Sequence, residues 1–357
     1  VIYLDANATE PVRPEARDAV LAAMALAGNP SSIHRAGRAA RQVLEQARGT
    51  VAKAVGVAPA DLVFCSGGTE ANAWAIIALS PGRRVLVGAT EHDAVRAAAG
   101  HAGTLPVLAD GTLDLAALET TLRHGEPALV CLMLANNETG VLHPVAEAAS
   151  LCRAHGAVLH VDAVQALGRI PVDCASLGAA TVAVSAHKAG GAKGAGALAL
   201  APGLHAPALI AGGGQERGRR GGTPALPAIA GFAAALEAPN RGEALAVLRD
   251  ALEQAAVASG ALVCGGGAPR LPNTTCLALP GVRADTQVIA LDLAGIAVSA
   301  GAACSSGKVT DSHVLAAMGL GALAGCAIRV SLPWNADAED VAAFTVAYRA
   351  MARRLAA

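Results

Sequence analysis

Between residues 61 and 200, short runs of Val, Leu and Ala alternate with longer segments in which apolar positions recur every three or four residues. That alternation is the signature of βαβ units around a largely parallel sheet. Strands are expected at 62–65, 84–87, 129–134, 158–161, 181–184 and 197–200, and helices at 70–79, 115–122 and 145–155, so that both faces of the sheet are covered. Upstream, 15–27 and 38–55 have helical spacing and are separated by the breaker Gly28, Asn29, Pro30, Ser31, Ser32. The 212–222 stretch is rich in Gly and Arg and has no apolar period, so a flexible or ligand-bound loop is expected there. From residue 224 onward two helices lead into extended runs at 274–279, 288–293 and 328–332 and a closing helix over 336–355. The expected fold is α/β, with a mostly parallel central sheet flanked by helices and a smaller α+β domain. The large domain is expected at 15–240, and the small one from 1–14 and 241–357.

Composition sharpens this picture. A chain of 357 residues with 54% apolar residues can bury a large core, and 2% aromatics with abundant Ala and Gly suits closely packed α/β layers. The 27 basic and 28 acidic residues nearly cancel without long blocks of one sign, so neither nucleic acid nor an anionic membrane surface is an expected partner. The stretch 194–215 lacks Asp, Glu, Lys and Arg but is interrupted by Pro202, Pro207 and many glycines, which disfavours a membrane span. Residues 1–5 enter a strand-like run with no secretory pattern, so a cytoplasmic location is the default expectation. Eight scattered cysteines without a Cys-x-x-Cys pair argue against a zinc ribbon or a disulfide scaffold and predict mostly buried thiols.

The candidate chemistry begins with Asp162, which ends one expected strand in VLHVDAVQ (158–165), and Lys188, which follows the next in SAHK (185–188). Side chains at the carboxyl ends of parallel strands converge on the crevice where such sheets bind ligands. A pyridoxal cofactor needs this pair, a lysine to bond it covalently and a carboxylate to keep its ring nitrogen protonated. Alone, an Asp at a strand end is usually a helix cap and a Lys is usually solvated. A third element joins them, the strand, Gly-rich turn and helix start of CSGGTE (65–70), where backbone N–H groups and a hydroxyl can receive a phosphate. His160 and Asp162 share a strand, but a third metal ligand at sensible spacing is missing, and no metal is expected.

Taken together, these segments resemble the cysteine desulfurases of the class V aminotransferase group, of the nitrogen-fixation and housekeeping iron–sulfur type. The likeness is carried by YLDANAT (3–9), GNPSSIH (28–34), SGGTE (66–70), TEHDAV (90–95), NNETG (136–140) and GGGQERGRRGGT (212–223), together with the Asp162 and Lys188 segments, over nearly the whole chain. It implies a fold-type I pyridoxal 5'-phosphate enzyme in which Lys188 bonds the cofactor and moves the substrate α-proton. Asp162 pairs the ring nitrogen, Gln165 its phenolic oxygen, and His92 stacks on the ring and assists proton transfer. Gly68, Thr69, Ser185 and His187 hold the phosphate, with Thr223 reaching across from a second subunit of a homodimer. Asn137 contacts the ring oxygen or substrate, and Arg329 clamps the substrate carboxylate with its bidentate fork. Arg217, Arg219 and Arg220 are left without a role.

Cys304 lies in VSAGAACSSG (298–307), a small, polar, Gly-rich setting unlike those of Cys131 and Cys264. The resemblance places the persulfide-forming cysteine there, in the long-loop type, with L-cysteine as substrate and L-alanine as product. An iron–sulfur scaffold or another sulfur-acceptor protein is the implied partner. Departures from the family pattern are Val164 for a common Thr, Ala192 for Pro, and Pro333 with Trp334 for a Gly-led pair. The sequence stops at Ala357, so the longer tail that housekeeping members use with their scaffold is expected to be missing. Selenocysteine lyase and other class V lyases share the same machinery and stay open as alternatives, as does a non-catalytic paralogue.

Overall fold

The computed structural model describes residues 1–301 and 311–355, so Cys304 lies outside the described residues. The chain opens with β1 (Ile2–Tyr3), α1 (Pro14–Met24) and α2 (Arg35–Ala54). Strands and helices then alternate: β2 (Leu62–Cys65), α3 (Gly68–Leu79), β3 (Arg84–Gly88), α4 (Asp93–Ala99), β4 (Gly103–Leu105), α5 (Leu115–Leu122), β5 (Ala128–Met133), α6 (Val145–Ala154) and β6 (Val158–Asp162). β7 (Thr181–Ser185), β8 (Gly196–Leu200), α7 (Leu226–Glu237), α8 (Gly242–Val257), β9 (Leu262–Cys264), β10 (Thr274–Ala278) and α9 (Ala284–Leu293) follow. β11 (Ile296–Ala297), β12 (Ser299–Ala300), α10 (His313–Ala317), β13 (Ala327–Ser331) and α11 (Ala338–Leu355) complete the order.

Seven strands form one sheet in the order β2-β8-β7-β6-β5-β3-β4, in which only β8 runs against its neighbours. β5 is buried at all six positions and reads as an unbroken apolar run, as a strand covered on both faces must. α3 lays Trp74, Ala75 and Leu79 into the buried layer. α2 buries Ala40, Leu44, Ala47 and Val51 at helical spacing and packs on α7. The decisive consequence concerns one edge of the sheet. β2, β3, β5, β6 and β7 all point the same way, so the loops that follow them gather there.

A second, antiparallel sheet has the order β12-β13-β10-β9, and β1 pairs in parallel with β11. Its apolar face joins Leu4, Leu252, Leu277, Ile328, Phe344 and Tyr348 in a cluster of their own.

The six strands expected in the large sheet are present with ends shifted by at most about one residue, while the short β4, β9, β11 and β12 escaped notice. One expectation is corrected: 288–293 is the end of helix α9 and not an extended run. Ala284, Gln287 and Leu291 are buried while Ile289 and Leu293 are exposed, a three-to-four residue alternation that only a helix satisfies. Within 212–222 the chain makes one short 3-10 turn, Gln215–Gly218, in which Glu216 and Arg217 take left-handed φ of 49° and 58°. That conformation is held because Glu216 accepts from Arg48 Nη1 and Nη2, both at 2.7 Å, and from the backbone N–H of Phe64 at 2.8 Å. Arg220 pairs with Glu70 at 3.0 Å, and Arg217 and Arg219 donate to the carbonyls of Pro59 and Ala60.

Candidate active site

The loops at the carboxyl edge of the large sheet enclose a cavity of about 280 Å³, near the lower end of small-molecule pockets at roughly 300 Å³. Gly68 and Thr69 from the start of α3, His92 before α4, Asn137 after β5, Asp162 and Gln165 from the end of β6, and Ser185, His187 and Lys188 after β7 all line it. Nine of the twelve residues singled out from the sequence line this cavity, and Arg329 does not line it but donates to the carbonyl of Asn137, which does. Thr223 is exposed and does not line the cavity of this one chain, and Cys304 lies outside the described residues.

Asp162 is the last residue of β6 and is 7% exposed. Burial pushes its carboxyl above the ordinary range, against the opposing pull of the Val164 N–H, His92, Asn72 and Lys188. Its Oδ1 accepts from the backbone N–H of Val164 at 2.9 Å and its Oδ2 from Asn72 Nδ2 at 2.7 Å. Behind Asn72 stands His160, whose Nε2 lies 2.9 Å from Asn72 Oδ1 and whose Nδ1 lies 2.8 Å from Thr181 Oγ1. Because the Asn72 amide nitrogen is spent on Asp162, its oxygen must accept, so His160 carries its proton on Nε2. Burial brings the His160 imidazole down to about 4, and it is therefore neutral at pH 7. His160 thus supports the acid through Asn72. Among the described residues no group of three His, Cys, Asp or Glu side chains is placed to hold a metal ion.

Gly68 and Thr69 occupy the first turn of α3, where helix N–H groups lack intrahelical partners and favour an anion. Gly68 has no room for a side chain, since a Cβ there would lie 2.6 Å from Val164 Cγ2. Ser185 Oγ is buried and has no hydrogen-bond partner among the described residues. His187 Nδ1 lies 3.2 Å from Thr9 Oγ1, and burial, with Lys188, Lys193 and Arg169, brings its imidazole down to about 4. An orphaned hydroxyl, a helix start, a neutral imidazole and a buried acid lining one cavity fit a phosphorylated pyridine such as pyridoxal phosphate.

Lys188 Nζ donates to the carbonyls of Asn7 and, at 3.0 Å, Ala8. Gln165 Nε2 donates to the same Asn7 carbonyl at 3.0 Å, and its Oε1 accepts from Arg169, which pairs with buried Glu10 at 3.2 Å. His92 caps α4, its Nδ1 accepting from the Ala94 N–H at 3.0 Å. Arg329, in the middle of β13, is 2% exposed. Its Nη2 meets Asp5 Oδ1 at 2.7 Å, its Nη1 donates to the Asn137 carbonyl at 3.1 Å, and its Nε has no partner among the described residues.

Sequence reasoning missed Asn72, Arg169, Glu10 and Asp5. Asp5 and Asn7 lie inside the quoted 3–9 segment, and that segment was the available signal. Asn72 is buried on α3 with Ala71, Trp74, Ala75 and Ile76, and an amide among apolar neighbours was the clue there.

The sequence profile described as aminotransferase class-V matches residues 2–344. The chain is 43% identical to a cysteine desulfurase of Cereibacter sphaeroides over 95% of this chain and 92% of that one. It is 37% identical to an IscS-like cysteine desulfurase of Mycobacterium tuberculosis over 98% and 96%. Among solved structures, a NifS-like protein from Rickettsia africae superposes with a TM-score of 0.91 at 33% identity, covering 98% of this chain and 99% of that one. On the extent of that match and the site it encloses, the chain belongs to the aminotransferase class-V family.

Proposed function

We propose that this protein is a pyridoxal-phosphate-dependent cysteine desulfurase that takes sulfur from L-cysteine onto Cys304 and releases L-alanine. The observation that carries the reading is the convergence of Lys188, Asp162 and the start of α3 on one cavity, in a chain whose relatives bear that name. When bound, pyridoxal phosphate supplies an electron-accepting ring that acidifies the α-proton of an attached amino acid and weakens its bond from Cβ to sulfur.

The chain's own residues do the rest. Gly68, Thr69, Ser185 and His187 hold the phosphate, Asp162 keeps the ring nitrogen protonated and Gln165 donates to the phenolic oxygen. His92 would stack on the ring and assist proton transfer. Lys188 would bond the cofactor and then carry the proton at the substrate Cα. Asn137 and Arg329 receive the substrate, the Nε of Arg329, unpartnered among the described residues, being a spare donor for its carboxylate. The Cys304 thiolate attacks the substrate sulfur, forming the S–S bond as the bond to Cβ breaks, and protonation of the remaining carbon gives alanine.

Thr223, exposed and not lining its own chain's cavity, supports a homodimer in which it completes the phosphate site of the second copy. Residues 15–240 form the cofactor domain in this reading, and 1–14 with 241–357 the small domain, supported by the separate apolar cluster around Leu4 and Phe344. Among the described residues no helix is long and apolar enough to cross a membrane. We place the protein in the cytoplasm, feeding an iron–sulfur scaffold or another sulfur acceptor. Lys188→Ala tests the cofactor assignment: the variant should lose the borohydride-reducible visible chromophore. A variant that kept it would overturn the assignment.

A further inference from the structure

Glu138 follows pocket-lining Asn137 and has no part in the roles above. It is 3% exposed, and its Oε2 accepts from Ser312 Oγ at 2.6 Å. The same hydroxyl oxygen accepts from the Leu315 N–H at 3.1 Å. Gly301 closes on this carboxylate from another side: a Cβ added there would lie 2.8 Å from Glu138 Oε2 and 3.4 Å from Ser312 Cβ. Gly301 and Ser312 flank the segment that carries Cys304, and both come together on one carboxylate. Each flank is also tied to the approach to β13, Gly301 N donating to Ala327 O at 3.3 Å and Ser312 N to Ala324 O at 3.2 Å. Glu138 itself is rigidly mounted. Asn136 Oδ1 accepts from the N–H groups of Glu138 and Thr139, both at 2.9 Å, and the Asn137 carbonyl accepts from Asn7 and Arg329, both at 3.1 Å.

We propose that Glu138 is a positioning residue for sulfur transfer, holding one flank of the Cys304 segment through the Ser312 hydrogen bond and packing closely against Gly301 on the other, so that both are set against the turn that presents Asn137 to the pocket. This deepens the desulfurase reading and rests on it. A buried carboxylate is costly, and the fold could satisfy Ser312 with a neutral acceptor. Burial brings Glu138 up to about 7, opposed by the Ser312 hydroxyl, by Arg329 of β13 and by His92, while Asp93 of α4 adds to the rise; Cys276 of β10 also faces it. The Ser312 bond is strongest to the ionised form, so the contribution of Glu138 grows as pH rises through about 7.

The test compares holoenzyme of the wild type, Glu138→Ala, Glu138→Gln and Ser312→Ala in single turnovers with L-cysteine, with sulfur on Cys304 followed by mass. Misplacing a reacting group by about 1 Å costs up to about a hundredfold, so transfer should slow about ten- to hundredfold in Glu138→Ala and Ser312→Ala. Cofactor absorbance should be retained and melting should fall by only a few degrees, as expected for a lost cap of α10 or one stranded hydroxyl, Glu138→Gln should recover part of the rate, and the ratio of wild-type to Glu138→Gln rates should rise through about pH 7. Alkylation of Cys304 by iodoacetamide, read on its peptide without substrate, should accelerate severalfold in the same variants. Wild-type transfer and alkylation in Glu138→Ala would overturn the inference, as would losses that track cofactor release or unfolding at the assay temperature. Should the wild type itself place no sulfur on Cys304, the desulfurase reading fails instead, and the alkylation comparison still decides the role of Glu138.

Discussion

Asn72 joins two buried groups, and its removal offers a sharp probe of the site. Asn72→Ala deletes the amide that donates to Asp162 at 2.7 Å and accepts from His160 at 2.9 Å. The first loss is a hydrogen bond to a charged group, worth about 1.5–3 kcal/mol, and the second strands the His160 N–H in a fully buried position, costing about 1–3 kcal/mol more. A water entering the vacated space would return part of this, so the net loss should be about 2–4 kcal/mol out of a typical total of roughly 5–15 kcal/mol. Losing the Asn72 donor also lifts the Asp162 carboxyl further, which weakens its grip on a protonated ring nitrogen. Urea unfolding of the cofactor-free protein measures the first effect, and spectral titration with pyridoxal phosphate the second, where affinity should fall at least about tenfold. The double variant Asn72→Leu, His160→Leu removes the stranded donor along with its acceptor, so its cost should be less than the sum of the two single leucine variants. A loss below about 0.5 kcal/mol for Asn72→Ala, or strict additivity in the cycle, would refute the relay.

Gly68→Ala should reduce cofactor affinity about tenfold or more by forcing a methyl against Val164, consistent with overpacking costs of about 1–3 kcal/mol; titration checks this, and adding Val164→Ala should restore binding. Asp5→Asn removes the carboxylate that aligns Arg329, so KM for L-cysteine should rise about tenfold while the cofactor spectrum stays unchanged, as steady-state kinetics would reveal. His160 has a folded pKa of about 4 against an ordinary 6.5, so the unfolded chain binds the extra proton between those values. Its stabilising effect is fully present above pH 6.5 and is lost as pH falls towards 4, by roughly 3 kcal/mol. Urea unfolding of wild type and His160→Gln from pH 7 to 4 should therefore show the wild type losing more stability.

The large sheet was legible in the sequence because strands covered on both faces are simple apolar runs, and β5 and β8 could hardly be anything else. The segment 288–293 misled for the same reason, since Val, Ile, Ala and Leu in succession also suit a strand. Only tertiary packing, which buries Gln287 with Leu291, reveals the helical period. Within the site, the residues that meet a ligand stood out by type and by position at strand ends. Those that hold them in place did not: Arg169 steadies Gln165 across four residues, whereas Asp5 reaches Arg329 across most of the chain. Glu138 lay within a quoted motif, but its partners Gly301 and Ser312 come from far along the sequence, and no local pattern announces that meeting.

The most direct trial of the account is one turnover of holoenzyme with L-cysteine, alanine being quantified and each cysteine peptide weighed. The account predicts one alanine for each additional sulfur atom, found on the peptide of Cys304 and absent from those of buried Cys131 and Cys276. Alanine or sulfide produced at an undiminished rate by Cys304→Ala, or extra sulfur residing on any other cysteine, would contradict it.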